Sequence, residues 1–154
     1  MKFIADNMLG KLAKYLRFMG YDTYYTNRYM SDDDIINIAN KDERILITRD
    51  KELATRYKNS ILIESTDSID QLRQVIRAFG LNDEKMLTRC SICNVILIKT
   101  SKEDVKGKVP ENVYKNFNDF FVCPSCGRYY WYGTHARNIE ETVKAVEKNE
   151  NSRY

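Results

Sequence analysis

Apolar and polar positions change their period several times along the chain. Residues 2–5 (KFIA) form a short apolar run with the character of a strand. Leu9, Leu12, Ala13, Leu16 and Met19 then recur at three- and four-residue intervals, which predicts a helix over 8–19. Gly20 stands where such a helix stops. Residues 21–26 are rich in Tyr and Thr and predict a strand. Ser31 and Asp34 have the spacing of a capping box, and Ile35, Ile38 and Ala39 follow on one helical face. A strand over 44–48, a short helix over 51–57, a strand over 60–64 and a helix over 68–79 ending at Gly80 complete the first part. The order is strand-helix four times over, which predicts an α/β fold: a mostly parallel sheet with helices on both faces. The runs ILIT and ILIE are apolar almost throughout, as strands covered on both sides are.

After residue 86 the pattern changes. Short strand-like pieces (VILIK, FFVC, YYWYG) stand between charged loops and two Cys-x-x-Cys pairs. Residues 100–119 show no clear period and read as a loop with one helical turn after Pro110. A closing helix is expected over 138–147, with the final NENSRY frayed. The chain thus divides into 1–86 and a smaller module, 87–154, that includes the closing helix.

Composition narrows the class. The 154 residues are 43% hydrophobic and 31% charged, with 2 Pro and 6 Gly. No apolar run approaches the roughly 20 residues that span a bilayer. The opening MKFIADNMLGKL lacks the apolar core of a signal peptide. A cytoplasmic protein without a membrane partner is expected. The net charge of +3 resides wholly in 87–154, since acids and bases balance over 1–86. Four thiolates around one zinc would reduce that to about +1. Any basic surface must therefore be local.

Three acids fall at strand ends. Asp6 follows the first strand, Asp50 follows the third, and Asp32 opens the helix between them. In a parallel sheet all three share the carboxyl edge, where ligands bind. Aspartates at such positions also cap helices, so each is either a cap or a ligand. Convergent carboxylates repel unless a cation neutralises them, and Mg²⁺ or Mn²⁺ prefers such oxygen donors. That ion chemistry suits hydrolysis of a phosphodiester, on a two-metal plan in its fullest form. Lys11, Lys14 and Arg17, spaced by three on the first helix, offer either phosphate contacts or an ordinary solvated face. Tyr15, Tyr24, Tyr25 and Tyr29 offer stacking for unpaired bases, or core.

The cysteines carry the most specific motif. Cys90 and Cys93, then Cys123 and Cys126, form two Cys-x2-Cys knuckles with 29 residues between them. Four sulfurs close a tetrahedral zinc shell and leave no place for water, so this zinc is structural. Asn94 and Gly127 follow their knuckles, where left-handed backbone is tolerated. His135, the single histidine, packs on the ribbon or contacts RNA, within a Tyr129-Tyr130-Trp131-Tyr132 cluster.

Taken together, ADNMLGKLAKYLRFMGYDT, RILITRD, RCSICN and FFVCPSCGRYYWYGTH resemble the Mut-seven C-terminal RNase family, over nearly all of residues 2–137. That family joins a PIN-like nuclease domain to a zinc ribbon. The resemblance implies a metal-dependent endoribonuclease with Asp6, Asp32 and Asp50 as catalytic, Mg- or Mn-binding acids, and Asp33 in place of Asp32 if the helix phase slips. Thr48 would orient Asp50 or a water, and Arg49 would contact phosphate or form a salt bridge. The expected partner is RNA, single-stranded or with unpaired regions, with a ribosomal or RNA-processing partner in view. The chain departs from many PIN nucleases in lacking a clear further acid, since Asp22 follows a strand start rather than a helix. The alternative is a non-catalytic RNA- or ribosome-binding adaptor. An aspartyl-phosphate mechanism is disfavoured because Met8 stands where its second acid belongs, and no Walker motif occurs.

Overall fold

The computed structural model describes residues 1–153. Its first part comprises β1 (Lys2–Ala5), α1 (Gly10–Phe18), β2 (Asp22–Tyr25), α2 (Asp32–Asp42), β3 (Ile45–Thr48), α3 (Lys51–Arg56), β4 (Ser60–Leu62) and α4 (Ser68–Phe79). The four strands form one parallel sheet in the order β2-β1-β3-β4. The α/β expectation from the alternating pattern is therefore met. Parallel neighbours need a long connection, and each link between strands contains a helix.

Strand alternation distributes the core over two faces. Phe3, Ala5 and Ile47 pack with Leu12 and Leu16 of α1 and Leu72 of α4. On the other face Ile4 and Leu46 meet Ile35 and Ala39 of α2 and Leu53 of α3. Burying each of the larger side chains contributes roughly 1.5–3 kcal/mol. The chain steps from β1 outward to β2, then back across β1 to β3. The strand order therefore reverses between β1 and β3, and at such a point a crevice opens beyond the carboxyl ends.

The second part has a three-stranded antiparallel sheet of β5 (Ile98–Thr100), β6 (Phe120–Val122) and β7 (Tyr129–Tyr130), in that order. The stretch expected to be a loop contains two short helices, α5 (Lys102–Val105) and α6 (Glu111–Asn116). Ser101 caps the first by accepting from the Asp104 amide at 3.2 Å. Each helix buries a single anchor, Val105 or Val113, against Phe120. α6 is the helical turn expected after Pro110, whereas α5, with one anchor, left no period to read.

The last helix, α7 (Thr134–Asn151), starts four residues before the expected 138 and runs past 147. Its polar opening, Thr134 to Asn138, hides the start from periodicity. Its Ile139, Val143 and Val146 join Leu72, Val75 and Ile76 in the core beneath the parallel sheet. The ribbon is thus flanked on both sides in sequence by segments of the sheet domain. No helix among the described residues is long and apolar enough to cross a membrane.

Candidate active site

The crevice between β1 and β3 is built around one hydroxyl. The Asp6 amide still bonds the Ile47 carbonyl at 3.0 Å, so the sheet's pairing carries Asp6 to its carboxyl edge. Thr48, fully buried at the end of β3, donates to Asp6 Oδ2 at 2.8 Å. The same Oγ1 accepts from the Asp50 amide at 3.0 Å. A hydroxyl has one proton, and here it is directed to Asp6. Asp6 Oδ2 is therefore the acceptor of that bond.

Both acids are also caps. Asp6 Oδ1 accepts from the Met8 amide at 3.1 Å and begins a single 3-10 turn over Asn7–Leu9. Asp50 Oδ1 accepts from Glu52 and Leu53 at 2.9 and 3.1 Å and starts α3. Asp50 Oδ2 takes no hydrogen bond among the described residues. A cap and a ligand are thus compatible, because one oxygen serves the helix and the other stays available.

Asp32 is differently placed. The capping box of α2 is made by Ser31 and Asp34, with both bonds at 3.1 Å, so Asp32 and Asp33 have no capping duty. Both instead pair with Arg56 of α3, Asp32 at 3.7 Å and Asp33 more closely. Arg56 carries no sequence signal, because the pairing spans 23 residues and two elements.

Two buried polar atoms among the described residues have no partner, Thr26 Oγ1 and Arg49 Nε, and both belong to this edge. Thr26 follows β2, and its amide bonds the Ala5 carbonyl at 3.1 Å, beside Asp6 in the sheet. Arg49 lies between Thr48 and Asp50. Buried polar groups are almost always satisfied, so atoms left over here point to a water, an ion or substrate. Carboxylate oxygens with spare lone pairs beside a hydroxyl suit a hard divalent cation, and Mg²⁺ commonly uses only one or two carboxylates. A lone guanidinium N–H suits a phosphate oxygen. Asp6 and Asp50 therefore fit such an ion, while Arg56 engages Asp32.

Of the three basic residues on α1, Lys11 and Lys14 are exposed, but Arg17 turns away from them. Its Nε donates to the Thr23 carbonyl at 2.8 Å, and Nη1 to Ile92 and Ser91 at 2.9 and 3.3 Å. Burial pushes its pKa below the ordinary arginine value. Asn94 completes this joint. It accepts from the Thr23 amide at 3.1 Å and donates to Asp22 at 2.8 Å, while Arg44 pairs with Asp22 at 2.8 Å. Burial alone would raise the Asp22 carboxyl, but bonds from Arg44 and then Asn94 outweigh it and hold it low. Asp22 lies at the amino edge of the sheet and is a clamp for the ribbon.

The four cysteine sulfurs lie within 4.8 Å of one another, the one such cluster placed to hold an ion among the described residues. Asn94 (φ 64°) and Gly127 (φ 75°) turn the two knuckles, bonding the carbonyls of Cys90 and Cys123 at 3.0 and 2.9 Å. The Cys93 and Cys126 amides donate to Cys90 Sγ and Cys123 Sγ at 3.3 and 3.4 Å. Burial works against ionising Cys90. The Tyr130 hydroxyl at 3.1 Å and the amides of Cys93 and Ile92 prevail and bring it down to about 7. Four thiols gathered this closely could hold zinc. His135 is exposed near the start of α7 and outside this cluster.

A family model, the Mut7-C RNAse domain, matches residues 1–143. No curated protein and no solved structure matches the chain.

Proposed function

Because the chain belongs to the Mut7-C RNAse domain family, a family with a nuclease and RNA-related role, we propose that it is an endoribonuclease acting at the β1/β3 crevice. The observation that supports this most is the Thr48 hydroxyl, which fixes Asp6 and Asp50 relative to each other at the strand-order reversal. A divalent cation, Mg²⁺ or Mn²⁺, supplies charge for the phosphate oxygens and lowers the pKa of water when bound. Asp6 and the free Oδ2 of Asp50 hold that ion. Thr48 keeps Asp6 oriented. Arg49 Nε donates to a non-bridging oxygen of the scissile phosphate, and Thr26 Oγ1 positions a water. Lys11 receives the neighbouring phosphate. Cleavage leaves 5′-phosphate and 3′-hydroxyl ends. Zinc on Cys90, Cys93, Cys123 and Cys126 supports the ribbon and takes no part in the chemistry.

The reading is tested by incubating the zinc-loaded protein with end-labelled single-stranded RNA in Mg²⁺, Mn²⁺ or EDTA, beside Asp50→Asn. Metal-dependent cleavage absent from the variant is expected. Cleavage that persists in the variant would move the chemistry elsewhere. One observation favours a second reading, a non-catalytic RNA- or ribosome-binding adaptor: Arg56 holds both Asp32 and Asp33. A folded, zinc-loaded protein that binds RNA and never cuts it would select that reading.

A further inference from the structure

A cavity of about 680 Å³ lies between α1, the ribbon around β7 and the start of α7. It is well away from the acids: Phe18 and Ser91 in its wall sit beside the joint at the amino edge of the sheet, whereas Asp6 and Asp50 are at the carboxyl edge. Its wall has two chemistries. Lys14, Lys108 and Arg128 contribute positive charge, and no carboxylate lines it. None of these three has an ion-pair partner among the described residues. Tyr15, Tyr129 and Trp131 contribute aromatic surface, and all three are only partly buried.

Cations that would offset one another's repulsion on meeting an anion, set beside unfilled aromatic surface, fit a ligand with phosphate on one side and a flat ring on the other. Unpaired nucleotides have that composition, and proteins that hold single strands pair a basic groove with aromatic platforms. A duplex end has its bases already stacked and offers no ring to this wall. Gly133 sharpens the fit, since a Cβ there would stand 2.8 Å from the Trp131 indole nitrogen, so only glycine lets the indole lie against the turn.

We propose that this cleft captures an unpaired nucleotide of the RNA substrate, about one sheet-strand length away from the bond that is cut. The proposal rests on the nuclease reading for the identity of the ligand. Lys14 opens the path and Lys11 lies three residues, about 4.5 Å, nearer to Asp6 along α1. Both are exposed on that helix. α1 has nine residues and so covers roughly 13 Å. A strand held in the cleft must extend over that length to reach the acids, so a mononucleotide occupies the cleft alone, and single-stranded substrates several nucleotides long are preferred.

Trp131 is the sole tryptophan, so its emission reports this cleft alone. Hexauridylate and uridine monophosphate would each be titrated into the zinc-loaded full chain, into Asp50→Asn, and into a variant carrying K108E and R128E. The expected result is saturable quenching by hexauridylate that Asp50→Asn retains and the double reversal weakens at least tenfold, with unchanged circular dichroism. If each side chain meets one phosphate, the salt dependence also flattens by about 1.4 log units per decade. Quenching indifferent to the double reversal, or no quenching, overturns the cleft assignment. Equal affinity for the mononucleotide overturns the extended path. Cleavage without quenching removes the cleft and leaves the nuclease, whereas quenching by a protein that never cleaves removes the nuclease and leaves an RNA-binding cleft.

Discussion

At the amino edge of the parallel sheet, Arg17, Asp22, Arg44 and Asn94 satisfy one another and the carbonyls of the first zinc knuckle. At the carboxyl edge, Thr26 and Arg49 each keep a buried atom without a partner, and Asp50 keeps an oxygen. The same four strands end at both edges, and Arg and Asp occur at each. The difference lies in saturation. Complete pairing makes a joint, because every group removed leaves another stranded. Incomplete pairing makes a site, because something from outside completes it.

The comparison can be broken hardest at the cysteines. Cys90→Ser should abolish zinc retention, measured as metal content after dialysis, and remove amide-exchange protection over 87–131, since a structural zinc contributes on the order of 10 kcal/mol to such modules. A variant that still holds one zinc per chain would contradict the four-sulfur site.

Next in size come the acids. Asp6→Asn and Asp50→Asn should each lower cleavage by about a hundredfold or more, on the scale of losing a group that stabilises the transition state. The melting temperature of Asp50→Asn should change little, because one amide oxygen still accepts from Glu52 and Leu53. Asp6→Asn, by contrast, has one oxygen for the Met8 and Thr48 donors and should cost about 1–3 kcal/mol. Unfolding in either variant would make these carboxylates structural only. Thr48→Val separates the roles. It strands Asp6 Oδ2 and the Asp50 amide, so it should cost about 1–3 kcal/mol of stability and reduce turnover with little change in RNA affinity. A loss confined to affinity would remove Thr48 from the site.

The joint should respond in another way. Arg17→Met leaves three carbonyls without their donor and should cost about 1–3 kcal/mol, seen as faster exchange in the Cys90–Asn94 knuckle with zinc content unchanged. Loss of zinc in this variant would show that the joint and the metal fold as one.

The smallest effect is a pH dependence. Asp22 is held below its ordinary value, near 3.9, so its stabilising contribution is complete above about pH 4. It is lost as pH falls through the lower folded value. Asp22→Asn should lower stability at neutrality, where the charged pairing with Arg44 is lost, and flatten the acid limb, so that variant and wild-type curves converge below pH 4. An equally steep limb in the variant would place the titration on other carboxylates.

These contrasts also mark what was legible in the sequence. The sheet could be read because ILIT and ILIE announce strands, although β4 lies at the sheet's edge and is only half-buried rather than covered on both sides. Asp6 and Asp50 could be read because they stand just past their strands. The knuckles could be read because two-residue spacing is a local constraint. Arg17 was not legible: its spacing from Lys11 and Lys14 is helical, but its side chain reaches residues 74 and 75 positions later. Arg56 and Thr26 were missed for the same reason, since their roles depend on which strands become neighbours. The short helix α5 was hidden because one buried valine makes no pattern, and α6 showed only as a turn after Pro110. The polar start of α7 concealed four residues that the fold makes helical.

The return of α7 to the sheet domain has a consequence for how the molecule comes into being. Ile139, Val143 and Val146 complete a core whose other members, from Phe3 to Leu81, are made long before them. During synthesis the nascent sheet stays open on that side until the ribbon has been threaded and the last helix has emerged. Contacts so distant in sequence close slowly, so the ribbon acts as a timed insert. Early metal capture shortens the effective loop that α7 must close, and refolding of the whole chain should therefore be faster with zinc present than without it.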